Sequence, residues 1–432
     1  MGVIAYLLLV MTAAFLSSRC SPVVTGVKLK AFYGDPDLHA STRQLIESRG
    51  FGCEVHHVTT ADGYILSLHR IIHPDHLASK APVLMFHGIM GSASNFLVNE
   101  RGGDVHEDHG KVGPNLGFEV AKRGYDVWLF DQRGNPGSRN HTYLDPDRDL
   151  SYWDFSIDEF ALYDLPAVIR YMQLVTTRKR IGFVGHSQGT TAMLFLMARR
   201  KKYNHIIRPF ICLSPVFYLG NSNLVRVPLN FLTKTNAAES FLKGRGGELI
   251  NGQMVRSSFD QLCTSLPTQS FACPLIANAF LSSIDHADYN YLRSPVYVTT
   301  EAFVISSKQL AHFLQLARTN FPASLDPSHD PESLVPHHAV YDPGRITCDS
   351  IAFITSVHDV FSDPQDVQDL RNALNVRLVY DQVITQPGFG HGSMLFGIPQ
   401  HVSQFVNEPI LKILDSYYPS DDLSIYSKQI IK

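Results

Sequence analysis

One twenty-residue stretch constrains this chain more than any other. Arg180-Ile-Gly-Phe-Val184 is a short apolar run with the composition of a buried strand, and Thr190 to Arg199 is built from good helix formers. Between them stands Gly185-His186-Ser187-Gln188-Gly189. A strand that must become a helix within five residues needs a very sharp turn, and the two glycines permit one where larger side chains would clash. Such a turn pushes the serine hydroxyl out beyond the sheet edge, which is the geometry of a nucleophile elbow. Gly-x-Ser-x-Gly alone also suits an ordinary turn; the strand before and the helix after favour a nucleophile.

The surrounding pattern is that of a strand–helix alternation. Cys53–Thr60 and Tyr64–Ile71 are β-rich runs separated by Ala61-Asp62-Gly63, a hairpin signal. Ala81–His87 reads as a buried strand, Leu116–Arg123 as a helix, Asp126–Phe130 as a strand, and residues 155–175 carry apolar side chains at helical spacing. Pro209–Ser214 is strand-like. From about residue 215 to 345 the rhythm is lost, and Phe-Leu pairs at 231, 241, 280 and 313 stand among polar residues, as in a helical insert with several apolar faces. The alternation resumes with a strand at 350–356, a helix at 364–374, a strand at 376–380 and a closing helix at 402–417. Strands alternating with helices predict a mostly parallel sheet.

A serine hydroxyl needs a base to take its proton and a third group to orient that base. On an elbow of this kind the chain order is serine, acid, histidine. His358-Asp359 follows the strand at 350–356, at its carboxyl end, where sites in open α/β sheets are built. Asp363 competes for the role of the acid, but Asp363-Pro364 reads as a helix start with Asp as N-cap and Pro at the first helical position. Asp359 has no such structural task and is the better candidate. His391, in Gly388-Phe-Gly-His-Gly392 on the loop after the next strand, is the expected base. His186 and His87 lie beside the turns, where hydrogen-bonded packing is the simpler role. The backbone N–H groups expected to bind an oxyanion are those of Gln188, just after the nucleophile, and Ile89, in the glycine-rich loop His87-Gly-Ile-Met-Gly-Ser92 after an earlier strand.

Composition excludes some functions. The chain has 432 residues, 44% of them hydrophobic, and a formal net charge of −3, so no basic surface argues for nucleic acid. Residues 3–16 are apolar and followed by small residues, which reads as a secretory signal peptide over 1–20, although a basic start is missing. The run is short for a membrane anchor, and no span is expected in the mature chain. Secretion would permit disulfides. Among six cysteines, Cys263 and Cys273 are the closest pair, and Cys212 sits in a strand-like run as a small buried hydrophobe. No spacing resembles a zinc site, and Asn140-His141-Thr142 is a glycosylation sequon.

Together these pieces resemble the acid lipase family that includes gastric and lysosomal acid lipases. The likeness runs from about Asp37 to Tyr418. It is carried by Thr60-Ala-Asp-Gly-Tyr-Ile-Leu66, Arg123-Gly-Tyr-Asp-Val-Trp-Leu129, Arg133-Gly-Asn135, Phe155-Ser-Ile-Asp-Glu159, Tyr163-Asp-Leu-Pro-Ala167, the elbow with Thr190 and Thr191, and Asp363-Pro-Gln-Asp-Val367. The resemblance implies an α/β-hydrolase fold: a mostly parallel central sheet with helices on both faces and a largely helical cap insertion. It places the nucleophile, acid and base on Ser187, Asp359 and His391, the oxyanion donors on Ile89 and Gln188, and the cap disulfide on Cys263–Cys273. The implied segments are a signal peptide at 1–20, core at 37–214, cap at 215–345, core again at 346–418 and a polar tail at 419–432. The implied activity is hydrolysis of long-chain carboxylic esters at a lipid–water interface, by a secreted or lysosomal enzyme with neither metal nor organic cofactor. Rival readings are a soluble carboxylesterase with a fixed cap and a lipid-binding protein without turnover. The chain departs from the family pattern at a polar insertion, Glu100–Gly113, at Asp131-Gln-Arg-Gly-Asn135, at Glu301-Ala-Phe-Val-Ile-Ser306 in the cap, and at the end of the His391 loop. All four touch the pocket rim or cap, so they bear on substrate choice.

Overall fold

The computed structural model describes residues 35–419 except 76, 77, 79, 107–109, 223–235, 256, 258–287 and 326–339. The expected signal peptide, the Cys263–Cys273 pair and the polar tail after 419 lie outside the described residues.

Eight strands form the main path of one twisted sheet: β1 (Gly52–Thr59), β2 (Tyr64–Ile72), β3 (Pro82–Phe86), β4 (Asp126–Asp131), β5 (Ile181–His186), β6 (Ile207–Leu213), β7 (Ile351–Ser356) and β8 (Tyr380–Ile384). Their order across the sheet is β1-β2-β4-β3-β5-β6-β7-β8, and a ninth two-residue strand, Asn140–His141, pairs with β2. β2 runs antiparallel to β1 and β4, and every pairing from β4 to β8 is parallel. The fold is that of an α/β-hydrolase.

Central strands are apolar on both faces because both faces are covered. On β3, Leu84 and Phe86 join a core with Trp128, Phe130 and Phe183, roofed by α2 (Leu165–Thr176) and α3 (Gln188–Arg199). Val83 and Met85 point the other way, toward Val127, Leu129 and Ile211, and meet α1 (Leu116–Lys122) and α8 (Glu408–Tyr417). Each such side chain contributes roughly 1.5–3 kcal/mol on burial.

One strand differs from expectation. The run Val376–Tyr380 is not the strand; β8 begins at Tyr380 and continues through Asp381-Gln-Val-Ile384. Val376 and Leu378 are apolar because they pack against the core from a loop. β8 itself is the edge strand and alternates between solvent and sheet, so its composition is half polar.

Among its described residues the 215–345 segment holds three helices, α4 (Asn236–Arg245), α5 (Ser294–Thr300) and α6 (Ser307–Thr319), and, beside the expected helices, a small antiparallel pair of strands, Glu248–Ile250 with Ile305–Ser306. Leu242, Ala311 and Leu325 make a small separate core between α4 and α6. Pro364–Ala373 forms α7 after β7, with Asp363 capping it by accepting from the Gln365 N–H at 2.9 Å.

The sharpness of the elbow is visible in what its glycines touch. A Cβ on Gly189 would stand 2.3 Å from the Phe86 carbonyl oxygen on β3, and one on Gly185 would stand 2.9 Å from the Thr190 nitrogen. Both obstacles are backbone and cannot swing aside. Gly189→Ala is therefore expected to lower stability by about 1–3 kcal/mol, as overpacking does. Gly244→Ala, on α4 with open space around it, should be neutral or stabilising by about 0.5–1 kcal/mol. Urea denaturation of the two variants checks the pair; equal midpoints would contradict the crowding.

Candidate active site

Ser187 occupies the turn between β5 and α3 with φ 54° and ψ −118°, a conformation that side-chain-bearing residues rarely adopt. The surroundings overdetermine it. Its N–H donates to the Leu213 carbonyl at 3.0 Å, and its own carbonyl accepts from the N–H groups of Thr190 and Thr191 at 2.9 and 3.3 Å and from the Thr190 hydroxyl at 2.6 Å. The Thr191 hydroxyl ties the same turn to the segment after β6 by donating to the Val216 carbonyl at 2.6 Å.

The structure brings together the three side chains expected from the sequence. The Ser187 hydroxyl lies 2.7 Å from His391 Nε2, and His391 Nδ1 donates to both oxygens of Asp359 at 2.9 Å. Asp359 stands just after β7 and Ser187 just after β5, so both project from carboxyl ends of parallel strands. All three are buried. Asp359 also accepts from the N–H groups of Phe361 and Ser362 at 2.9 and 2.8 Å. Burial, the largest influence, pushes its carboxyl toward neutrality; the His391 charge and hydrogen bond, with Ser214 and the Ser362 N–H, outweigh it and hold Asp359 below the usual carboxylate value. Asp363 stays in its capping role, as the competing reading required.

His186 and His87 take structural roles. His186 Nε2 donates to the His391 carbonyl at 3.1 Å, and the two ring centres lie 5.0 Å apart with the rings tilted by 42°. Burial, helped by the neighbouring His391, pushes His186 down to about 3, so it is neutral. His87 Nδ1 donates to the Gly88 carbonyl at 2.7 Å, its Nε2 faces the Asn135 amide at 3.3 Å, and burial lowers its affinity for a proton.

The Gln188 N–H is the first of α3 and has no carbonyl within its own helix to bond. Ile89 lies in the loop after β3, followed by Met90 at φ 60°. This loop is pinned from three sides. Phe303 N–H donates to the Met90 carbonyl at 2.9 Å, Ser92 Oγ donates to the Thr300 carbonyl at 3.1 Å, and the Asn95 amide donates to Glu301. A departure from the family pattern, Glu301, thus clamps the expected oxyanion loop.

Sequence reasoning missed two further participants. The Gln188 side chain donates to Gln132 Oε1 at 2.6 Å and accepts from Gln309 Nε2 at 2.5 Å, and all three glutamines are fully buried. Gln309 belongs to α6 and Gln132 to the loop after β4. Nothing local marks either residue; only the tertiary fold brings them to the elbow. Among the described residues no cluster of His, Cys, Asp and Glu side chains could hold a metal ion.

Two buried groups give the fold a pH window. Glu301 is pushed up to about 8, chiefly by burial, with the Asn95 hydrogen bond opposing and the Asp131 charge assisting. Its native pKa exceeds the ordinary 4.5, so its contribution is full below pH 4.5 and is lost as pH rises through about 8. His186 acts oppositely: the unfolded chain takes up the proton, so stability falls as pH drops from 6.5 toward about 3. Glu301→Gln should flatten the decline in melting temperature between pH 4.5 and 8, and His186→Gln the decline on the acid side. Melting curves across pH check both; unchanged slopes would refute the assignment.

Comparison with known proteins agrees with the geometry. Residues 42–100 match a model of a partial α/β-hydrolase lipase region, and residues 81–272 match the α/β hydrolase fold. The chain is 30% identical to Lipase 1 of Drosophila melanogaster, over 84% of this chain and 77% of that protein. It is 29% identical to human Lipase member K, over 91% and 95%, and 29% identical to bovine gastric triacylglycerol lipase, over 85% and 90%. With a buried serine–histidine–aspartate chain on this sheet and relatives matched over most of their length, the chain belongs to the acid lipase family of α/β-hydrolases.

Proposed function

We propose that the protein is a lipase that hydrolyses carboxylic esters of long-chain fatty acids through an acyl-enzyme. The observation that carries this reading is the continuous hydrogen-bonded chain Ser187–His391–Asp359, assembled on a strained elbow. Ser187 Oγ attacks the ester carbonyl while His391 Nε2 takes its proton. Asp359, ionised by its surroundings, holds the Nδ1–H and stabilises the imidazolium that forms. The N–H groups of Ile89 and Gln188 receive the oxyanion. His391 returns its proton to the departing alcohol, and a water molecule repeats the cycle on the acyl-enzyme. The names of the relatives support triacylglycerol or a related lipid ester as substrate.

The segment at 215–345 is assigned as a cap over this site. It returns to the core at the oxyanion loop through Phe303, Thr300 and Glu301. It also bears Phe241, Leu292 and Phe321, each more than half exposed. Secretion or delivery to the lysosome is the accompanying assignment. Asn140 is exposed, as a glycosylated asparagine must be. No described helix is long and apolar enough to cross a membrane.

Ser187→Ala should cut hydrolysis of emulsified long-chain triacylglycerol by about 10⁵–10⁶-fold, the loss typical of a missing nucleophile. Its melting temperature should not fall. Persistent hydrolysis would overturn the mechanism. Wild-type activity confined to short soluble esters would replace the lipase with a carboxylesterase, and lipid binding without turnover would replace it with a carrier.

A further inference from the structure

His391 sits on a loop, yet its two ring nitrogens must hold bonds of 2.7 and 2.9 Å to partners on two other loops. An error of about 1 Å in such an arrangement costs roughly 10²-fold in rate. The segment that carries His391 has little regular structure of its own: β8 ends at Ile384, and the helix Ser393–Phe396 is a single turn. What braces it comes from elsewhere in the chain.

Asp288 is the brace. Its N–H donates to the Gly388 carbonyl at 2.8 Å, three residues before His391. Its carbonyl accepts from Ser393 Oγ at 2.6 Å, two residues after. Its carboxylate accepts from the Ile398 N–H at 2.8 Å through one oxygen and from His401 Nδ1 through the other. Ser393 Oγ in turn accepts from the Gly390 N–H at 3.0 Å, next to the histidine itself. The Asp288 side chain is 2% exposed, so these bonds face little competition from water. Two residues on, the Asn290 N–H donates to the Phe396 carbonyl at 2.8 Å, and its amide reaches the Asn99 carbonyl at 2.7 Å. Asn99 closes the circle by donating to the carbonyls of Leu395 and Gly397 at 2.9 and 3.1 Å. One acidic residue outside the reacting groups thus touches the histidine loop at four points on both sides of His391.

We propose that Asp288 is a positioning residue for His391: it fixes the height and tilt of the imidazole between Ser187 and Asp359. The proposal rests on the hydrolase reading for its kinetic consequence and on the hydrogen bonds alone for its structural one. Asp288 belongs to the segment assigned as the cap, so the same residue ties cap to base. Within this arrangement Asp288 touches neither substrate nor the reacting atoms.

The test uses the full-length enzyme and two readouts. The first is kcat and KM on a soluble ester; the second is the low-field proton resonance of the His391 Nδ1–H bound to Asp359, seen without substrate. Asp288→Ala removes the carboxylate bonds to Ile398 and His401, keeps the two backbone bonds, and should lower kcat by up to about 10²-fold with KM unchanged and shift the resonance. Asp288→Asn, which keeps an acceptor for the Ile398 N–H, should recover part of the loss. Met172→Ala, a buried change on α2, serves as the control for lost stability. It should leave the resonance and the kcat of the folded fraction intact. If Asp288→Ala does not fold, Ser393→Ala cuts the bridge from the Gly390 N–H to the Asp288 carbonyl, the part of the brace nearest His391, and should show the same changes. Wild-type kcat and an unmoved resonance in these variants would overturn the proposal, as would a loss that only tracks the unfolded fraction. If the wild type hydrolyses no ester, the hydrolase reading falls while the resonance still decides whether Asp288 positions His391.

Discussion

The backbone of Ser187 is the constraint on which the site depends. A non-glycine residue at φ 54° and ψ −118° costs on the order of 1–3 kcal/mol, and such a residue persists only where its neighbours leave it no alternative. Here β5 runs into α3 with no room for a loop, because Gly189 lies against the backbone of β3 and Gly185 against the start of the helix. Hydrogen bonds to the Ser187 amide and carbonyl hold the turn closed. The position of the hydroxyl is therefore decided by the sheet rather than by a flexible rotamer. The first turn of α3 then presents its N–H groups beside the same point, so the proposed nucleophile and one proposed oxyanion donor come from one local geometry.

The other partners must travel to that point, and each arrives braced. Asp359 is gripped by backbone N–H groups at the start of its own loop. His391 is carried on a loop stitched to Asp288, Asn290 and Asn99. The Ile89 loop is fastened to Thr300, Glu301 and Phe303. The Gln188 side chain is held from α6 by Gln309. In three of these four cases the bracing residues belong to the 215–345 segment. Changes in that segment therefore reach the reacting groups through hydrogen bonds as well as through the shape of the substrate space.

How much of this could be read from the sequence follows from the range of each interaction. The elbow was legible because strand, turn and helix are contiguous and the turn chemistry is local. Asp359 could be separated from Asp363 because an aspartate before a proline has a recognisable capping task, and the structure finds Asp363 performing it. His391 stood out by chain order and by its glycine setting. The strand at 376–380 was misplaced because Val376 and Leu378 serve the core from a loop, whereas the true edge strand is diluted by Asp381 and Gln382. Asp288 and Gln309 carry no signal, and Gln132 stands out only as part of a departure from the family pattern, with nothing to link it to Gln188. Their partners are 56 to 121 residues away and the residues between show no pattern that links them. The Glu100–Gly113 insertion, expected to be a polar departure, is partly anchored: the Asn115 side chain caps the Glu100 and Gly102 carbonyls, and Val105 packs into the core.

The strand order carries a consequence for the newly made chain. β3 lies between β4 and β5, and the bond between Ser187 and His391 joins residues 204 positions apart. Contacts that distant close late, after the entropy of ordering the intervening chain has been met. An elbow that forms early holds a serine with no base beside it, and a serine hydroxyl without its base is a poor nucleophile. Chemical competence thus arrives only with the last strands of the sheet. A hydrolase organised in this way gains its full activity only when its fold is complete.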